Sequence, residues 1–379
     1  MKIKNILICL IILILIATNI FTIWYYFYKE KTNEVVDIEP VDIYGYENKV
    51  DRYVLNSAME EYCSLNNAVD KNMVNILALA DLQYLGDYET EDYDLDMLLK
   101  RIETISKLDN MDLAVSIGDL GGAKGNVEDS IKNLKTITSR IKKIPIATLF
   151  TLGNHDRFIY KEPEHDMSKE DYFNITFDNI DSSYNFNENV ENEPYYYKDI
   201  ENKKMRICVL NCLSAGNCEY VIDEEQLKFV AERMLDFSDK EYPSEWTVAF
   251  FIHTLYPTDY HKETVEGADI LIKILSHYKK GDILNVKNIN VDYSSIQRAN
   301  IAAIFTGHHH VGYTLEKDGI QIIGIDSVRT ANTRSSIERY IEYSDWDSDI
   351  SFEIISIDTN NRKIYSTKVG NGQNRYWNY

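Results

Sequence analysis

Five apolar segments of the sequence end at, or lead into, residues that can bind a metal ion. Each segment has the length and composition of a buried β-strand. In open α/β sheets the carboxyl ends of the strands meet at one crevice, so we predict that the polar residues lie around one point. The segments are Val74–Ala80 with Asp81 and Gln83, Leu113–Ile117 with Asp119, Ile146–Leu149 with Asn154, His155 and Asp156, Val248–Ile252 with His253, and Ile301–Phe305 with His308 and His310.

The chemistry of these side chains indicates two cations rather than one. Carboxylates and imidazoles together suit divalent transition ions such as Mn²⁺, Fe²⁺ or Zn²⁺. The set is too large for one tetrahedral ion, and it fits two ions about 3.5–4 Å apart. Without cations, burying the carboxylates together would cost several kcal/mol or force their protonation. Gly118, Gly153 and Gly307 lie beside these residues and allow sharp turns close to the ions.

The order of helices and strands predicts an α/β fold in layers. Amphipathic stripes at Leu95–Ile105 and Val127–Ile141 separate the first three strands, and further helices are predicted near Glu224–Phe237 and Ala268–Tyr278. The late strands have no helices between them, so we expect a sandwich of two sheets that are partly antiparallel. Residues 157–200 are interpreted as a long insertion whose loops lie at one rim. The other predicted strands are Met205–Leu213, Ile320–Ile325, Phe352–Ile357 and Lys363–Val369.

The N-terminal segment differs from the rest of the chain. An uncharged run of 24 residues, from Asn5 to Tyr28, can cross about 30 Å of hydrocarbon and ends in aromatic residues typical of a membrane interface. A cleaved signal peptide is the alternative, but its apolar segment usually has only about 7–15 residues. We predict a signal anchor, a single transmembrane helix, over residues 1–28, with the rest of the chain outside the cell. Residues 29–70 are predicted to form a stalk with a short helix near Asn56–Val69, followed by a folded domain over 71–379.

Charge and cysteine spacing exclude several partners. The chain has 40 Lys and Arg against 61 Asp and Glu, a net charge of −21. A surface this negative repels polyanions, and the sequence has no basic cluster, so duplex nucleic acid is not an expected partner. No Cys-x-x-Cys pair is present, which argues against a thiolate zinc site. Cys208 and Cys212 lie in an apolar run and are predicted to be buried free thiols, with a disulfide to each other or to Cys218 as the alternative.

The polar motifs resemble those of calcineurin-like metallophosphoesterases in order and spacing, over roughly residues 74–330. The resemblance implies a four-layer αββα sandwich of two mixed sheets flanked by helices. It also implies hydrolysis of a small phosphomonoester or phosphodiester substrate by a hydroxide that two metal ions activate. The matching elements are Asp81-x-Gln83, Gly118-Asp119, Gly153-Asn154-His155-Asp156, His253 and Gly307-His308-x-His310.

The resemblance also assigns a role to each matching residue. Asp119 would bridge both ions, Asp81 and His310 would bind the first, and Asn154, His253 and His308 would bind the second. His155 would not be a ligand. It would protonate the leaving oxygen or stabilise developing charge, with Asp156 orienting its ring.

Two positions depart from the family pattern. Gln83 stands where the family usually has His, so we expect a weaker first metal site in which Gln83 is a neutral ligand. Gly122 stands where a Tyr ligand occurs in purple acid phosphatases, so an Fe³⁺–Tyr centre is not expected. Gln83 therefore leaves open a second hypothesis, a phosphoryl-ligand binding module with little turnover. A scaffold in the cell envelope is a third.

The remaining polar candidates are weaker. His309 is expected at the rim or behind the ligands, and His261 is a loop residue that could reach the rim. His165 and His277 are expected at the surface. A phosphate contact or a surface salt bridge is expected for Arg157, whereas Arg329 and Arg375 are less favoured phosphate ligands.

Overall fold

Two mixed β-sheets form the centre of the fold. The computed structural model describes residues 49–68, 73–86, 95–122, 126–157, 167–177, 183–188, 193–213, 220–259, 261–328, 351–370 and 372–379. The predicted signal anchor lies outside these residues. Among the described helices, none combines the length and apolarity needed to cross a membrane.

The described strands and helices follow the chain as two lists. The strands are β1 (Val74–Leu79), β2 (Met111–Ile117), β3 (Ala147–Thr151), β4 (Tyr184–Phe186), β5 (Tyr196–Ile200), β6 (Met205–Val209), β7 (Thr247–Ile252), β8 (Ile283–Val286), β9 (Ile289–Asp292), β10 (Asn300–Thr306), β11 (Tyr313–Lys317), β12 (Ile320–Gly324), β13 (Phe352–Asp358), β14 (Lys363–Val369) and β15 (Arg375–Asn378). The helices are α1 (Lys49–Ala68), α2 (Leu95–Ser106), α3 (Val127–Ile141), α4 (Asn154–Arg157), α5 (Lys169–Thr176), α6 (Glu224–Phe229) and α7 (Ala268–Lys280).

The parallel strands lie next to one another, at one end of the first sheet and in the middle of the second. The first sheet has the order β15-β14-β13-β1-β2-β3, in which β1, β2 and β3 are parallel. The second has the order β11-β12-β10-β7-β6-β5-β4, with β6, β7, β10 and β12 parallel. Strands β8 and β9 form a separate hairpin. The two large sheets contact each other through β2 with β7 and β3 with β6. This arrangement confirms the predicted α/β fold with mixed sheets flanked by helices.

The strands that lead to the predicted ligands are buried along their length. Every residue of β1 and β7 is buried, and so are six of the seven residues of β10. Parallel strands covered on both faces need such continuous apolar sequences, which is why these five segments were recognisable as strands. Their carboxyl ends therefore project from a rigid core.

The first described helix is longer than predicted. It begins at Lys49 rather than near Asn56, and it contacts β14. Leu55, Met59 and Tyr62 are buried on one of its faces, and the Tyr62 hydroxyl donates to the Asp109 carbonyl at 2.9 Å. This part of the predicted stalk is therefore packed on the domain. The apolar spacing that signals it is three and four residues, as in other packed helices.

The described parts of the predicted insertion over 157–200 contain more regular structure than expected. It contains α5, β4 and β5, and β5 pairs with β6 to extend the second sheet. Aromatic rings hold it in place: the ring centroids of Phe177 and Tyr196 are 5.2 Å apart, and those of Phe173 and Phe186 are 5.4 Å apart. The many acidic and Asn residues of this region concealed the aromatic core in the sequence.

Two smaller expectations have clear outcomes. The helix predicted over Glu224–Phe237 is α6 followed by a π-helical turn at Val230–Met234. Cys208 and Cys212 are buried free thiols, as predicted, and burial raises the pKa of Cys212 to about 12. Cys218 lies outside the described residues.

Arg375 has a structural role rather than a place in a phosphate site. Its guanidinium donates to both carboxylate oxygens of Glu353, at 2.9 and 2.8 Å. Lys368 also lies 3.3 Å from Glu353, and it bonds Asp326. Burial alone raises the pKa of Glu353, but Lys368 and Arg375 outweigh it and lower the pKa to about 2. This charge network joins β13, β14 and β15 to the segment after β12.

We predict that Glu353→Ala lowers the free energy of unfolding by about 3–5 kcal/mol, because it removes the buried carboxylate that both Lys368 and Arg375 contact. Thermal or urea unfolding of the full chain measures this. The exposed pair of Glu103 and Lys107 provides the control, and Glu103→Ala should leave stability unchanged within error. Because the folded pKa of Glu353 lies below its ordinary 4.5, the network contributes fully above pH 4.5 and loses its contribution as the pH falls towards 2. Equal effects of the two variants would contradict this role.

Candidate metal centre

The predicted ligands adopt an unusual backbone conformation. Eleven described non-glycine residues have positive φ, and five of them are predicted ligands. Left-handed backbone is costly for residues with a side chain, and it concentrates at functional sites. The strain is therefore concentrated where the strands of both sheets end. The five residues are Asp81 (φ 53°), Gln83 (50°), Asp119 (52°), His308 (65°) and His310 (58°).

The first ligand group contains Asp81, Asp119 and His310, each of which offers one atom within 4.8 Å of the others. Asp81 Oδ1 lies 3.7 Å from His310 Nε2. The Asp81 carboxylate also accepts the backbone N–H of His308, at 3.0 and 2.9 Å to its two oxygens. Gln83 lies beside this group, with its Nε2 3.4 Å from Asp119 Oδ2 and 3.2 Å from His310 Nε2. These contacts bring the ends of β1, β2 and β10 together.

The second ligand group contains Asp119, His253 and His308. Asp119 Oδ1 lies 3.5 Å from His253 Nε2, and the same nitrogen lies 3.0 Å from Asn154 Oδ1. The other ring nitrogen of His253 lies 2.9 Å from the Ile117 carbonyl oxygen at the end of β2. That contact orients the ring and links the second sheet to the first. Asp119 belongs to both groups, as a bridging ligand must.

Burial and charge make this cluster unfavourable without cations. Burial, together with the charge of Asp119, raises the pKa of Asp81 well above its usual range. For Asp119, burial raises the pKa, but His253 and His155 outweigh it and lower the pKa. Burial lowers the pKa of His253, and it lowers that of His310 to about 4. Neutral imidazoles facing carboxylates are the protonation state that binds metal ions.

His155 and Asp156 differ in exposure. The His155 side chain is 26% exposed, its Nε2 lies 4.0 Å from Asp119 Oδ2, and its backbone N–H donates to Asp119 Oδ1 at 2.7 Å. Asp156 is buried, and its carboxylate accepts the backbone N–H groups of Gly121 and Gly153 at 2.7 and 2.9 Å. Asp156 therefore joins the loops that follow β2 and β3. Its predicted role in orienting the His155 ring stays a prediction.

The other predicted residues have mixed outcomes. His309 is buried, and its two ring nitrogens lie 2.9 Å from Thr258 Oγ1 and 3.4 Å from Thr254 Oγ1. It therefore lies behind the ligands and not at the rim. His261 does reach the site, with its ring centroid 4.8 Å from that of His308. Arg157 is buried and donates to the Met167 carbonyl oxygen at 3.2 Å, so the expected surface position is wrong.

Sequence reasoning missed one residue of this region. Glu263 Oε2 lies 3.6 Å from His308 Nε2 and 3.6 Å from His261 Nδ1. It belongs to the segment between β7 and α7, which carries neither a recognised motif nor a regular strand. No pattern in the sequence links Glu263 to the ligand motifs.

The donor set fits two divalent cations. Two buried carboxylates, three neutral imidazoles, and the amide oxygens of Asn154 and Gln83 are the ligand types that transition ions accept. Two overlapping groups share one carboxylate, and the buried Nε2 of His308 has no hydrogen-bond partner among the described residues. The fold and this site define a class, the hydrolases that use a pair of metal ions.

Comparison with known proteins identifies the family. The model of the calcineurin-like phosphoesterase family matches residues 74–312, so the chain belongs to that family. This confirms the resemblance and the predicted enzyme class, a metal-dependent phosphoester hydrolase. No curated protein sequence matches the chain.

Two solved structures show the same fold. A dimetal phosphatase from Danio rerio has 14% identity and a TM-score of 0.55, covering 81% of this chain and 99% of that chain. A purple acid phosphatase from yellow lupin (Lupinus luteus) seeds has 12% identity and a TM-score of 0.50, covering 80% of this chain and 53% of that chain.

We predict that Gly118→Ala weakens metal binding by at least about tenfold, because its new Cβ would lie 2.3 Å from Nδ1 of the ligand His253. Gly319 is a matched control: both glycines have φ near +80°, at +83° and +78°, but a Cβ on Gly319 would meet nothing within 4 Å. Gly319→Ala should cost only the backbone strain, about 1–2 kcal/mol of stability, with normal metal binding. Metal titration of both variants separates the two effects, and unchanged affinity in Gly118→Ala would refute the close approach.

Proposed function

We propose that the chain hydrolyses a small phosphomonoester or phosphodiester with a pair of divalent metal ions. The observation that carries the proposal is that Asp119 is shared by two ligand groups, one completed by Asp81 and His310 and the other by His253 and His308. Asn154 and Gln83 add an amide to the second and first group, respectively. Two such ions held by these residues would polarise a phosphoryl group and acidify a water molecule for attack on phosphorus.

His155 is the side chain that supports proton transfer. It is partly exposed, whereas Asp81, Asp119 and His253 are fully buried, so it can reach a substrate that the ligands cannot. Its backbone N–H donates to Asp119 at 2.7 Å, which fixes the start of α4 beside the centre. From this position the imidazole can protonate the leaving oxygen or stabilise its negative charge.

Gln83 supports a second candidate function, phosphoryl-ligand binding with little turnover. The atom of its amide that contacts Asp119 and His310 is the nitrogen, which is a hydrogen-bond donor and not a metal ligand. If the first ion binds only weakly, the second ion alone would hold a phosphoryl anion, and no water molecule would be activated. Release of product from a bound ester distinguishes the two functions.

The proposed location is the outer face of the cell membrane, with residues 1–28 as a single-pass anchor. Its support is the uncharged run from Asn5 to Tyr28. Protease treatment of intact cells should remove the domain while leaving a membrane-embedded N-terminal fragment. A domain that stays protected until the cells are lysed would contradict this location.

We predict that His155→Ala lowers kcat by about 10²–10⁴-fold while two ions still bind, because His155 is a proton donor and not a ligand. The full chain is assayed with Mn²⁺ on p-nitrophenyl phosphate and bis(p-nitrophenyl) phosphate. Asp119→Asn is the comparison: it should lose both activity and metal. Full activity of Asp119→Asn, or of wild type in excess chelator, would refute the mechanism.

We also predict that Gln83→His tightens binding of the first ion, because an imidazole nitrogen replaces a neutral amide at that position. Stepwise metal titration should show the weaker of the two dissociation constants falling, with the other unchanged. If both constants stay at wild-type values, Gln83 is a spectator.

A further inference from the structure

Glu263 and His308 present two unpaired atoms to each other. His308 Nε2 and Glu263 Oε2 are buried, neither has a hydrogen-bond partner among the described residues, and they lie 3.6 Å apart. The His308 side chain is only 7% exposed. His261 Nδ1 lies 3.6 Å from the same oxygen. Buried polar atoms are nearly always paired, so this arrangement calls for a proton or a cation between them.

The segment that carries Glu263 is attached to the ligand turn. His309, the residue after His308, lies within hydrogen-bonding distance of Thr258 and Thr254 through its two ring nitrogens. The backbone N–H of Thr258 donates to the His261 carbonyl at 2.8 Å. The loop and the His308–His310 turn are therefore built together, and Glu263 is not an incidental neighbour.

The direction of the His308 ring is constrained. Its centroid lies 4.8 Å from that of His261, 5.0 Å from that of His253 and 5.5 Å from that of Tyr220. Three rings around it restrict rotation, and its Nε2 points to Glu263. Nδ1 is then the nitrogen available to the second ligand group.

Two arrangements satisfy these atoms. The two separations of 3.6 Å would also suit His261, Glu263 and His308 as ligands of a third cation. However, a neutral imidazole that binds a metal through Nδ1 carries its proton on Nε2, and a protonated nitrogen cannot bind another cation. A third cation would require an imidazolate, whereas a hydrogen bond to the carboxylate requires no further ionisation.

We propose that Glu263 is a positioning residue that accepts the Nε2–H of His308 and thereby holds Nδ1 towards the second metal ion. Carboxylates commonly accept the free N–H of metal-binding histidines, which fixes the tautomer and increases the basicity of the ligand. The atoms need to approach by only about 0.7 Å to form a normal hydrogen bond. The inference rests on the proposed function, since it requires an ion at His308.

The test is stepwise metal titration of the full chain after chelation, by calorimetry with Mn²⁺ or Co²⁺. Glu263→Leu should weaken binding of the second ion by about 10–100-fold and leave binding of the first ion unchanged. Glu263→Gln keeps an acceptor oxygen, so it should lose less affinity for the second ion. Asp259→Asn is the matched control, because Asp259 lies on the same loop with its side chain fully exposed. Thermal unfolding of the metal-free variants checks that each is folded.

The outcomes separate the inference from the proposed function. If Glu263→Leu binds two ions with wild-type dissociation constants, the inference is overturned and the proposed function stays intact. Three ions in wild type and two in Glu263→Leu would overturn it in favour of a third cation. If wild type binds no ion, both proposals fail. A selective loss at the second ion, partly restored in Glu263→Gln and absent in Asp259→Asn, establishes the role of Glu263.

Discussion

The carboxylate of Asp119 is the feature on which the rest of the site depends. It is buried at the end of β2, in a left-handed turn, and it takes part in both ligand groups. The backbone N–H of His155 donates to one oxygen, and His253 approaches from the other sheet. A charge held this rigidly in the interior needs positive charge nearby. The four other strands that lead into the site, β1, β3, β7 and β10, supply ligands for cations instead of Lys or Arg.

The second constraint is the meeting of two sheets at one end. The Ile117 carbonyl oxygen of the first sheet lies 2.9 Å from the ring of His253, which follows a strand of the second sheet. Gly118 permits this approach, since any side chain there would collide with the His253 ring. The distance between the ligand groups therefore depends on how closely the sheets pack.

The sequence predicts the fold best where strands are buried along most of their length. Strands β1, β2, β3, β7 and β10 consist mostly of buried apolar residues, and each is followed by a residue type that can bind a metal ion, so the fold class and the meeting of these strand ends could be predicted. Periodicity was less informative for the region of β4 and β5. There the aromatic residues that form the packing, such as Phe177 and Tyr196, are scattered among Asp, Asn and Glu. Glu263 could not be found from sequence because its partner His308 is 45 residues away and no periodic pattern links them.

The pairing of β1 with β13 has a consequence for how the protein is made. Asp81 follows strand β1, yet the antiparallel neighbour of β1 begins at Phe352, and the Ser327 hydroxyl donates to the Asp81 carbonyl oxygen at 3.0 Å. During synthesis, one edge of β1 thus stays unpaired until β13 has left the ribosome. An exposed apolar strand edge invites association with other chains. Late pairing of this edge therefore lengthens the time over which the growing chain can associate with others.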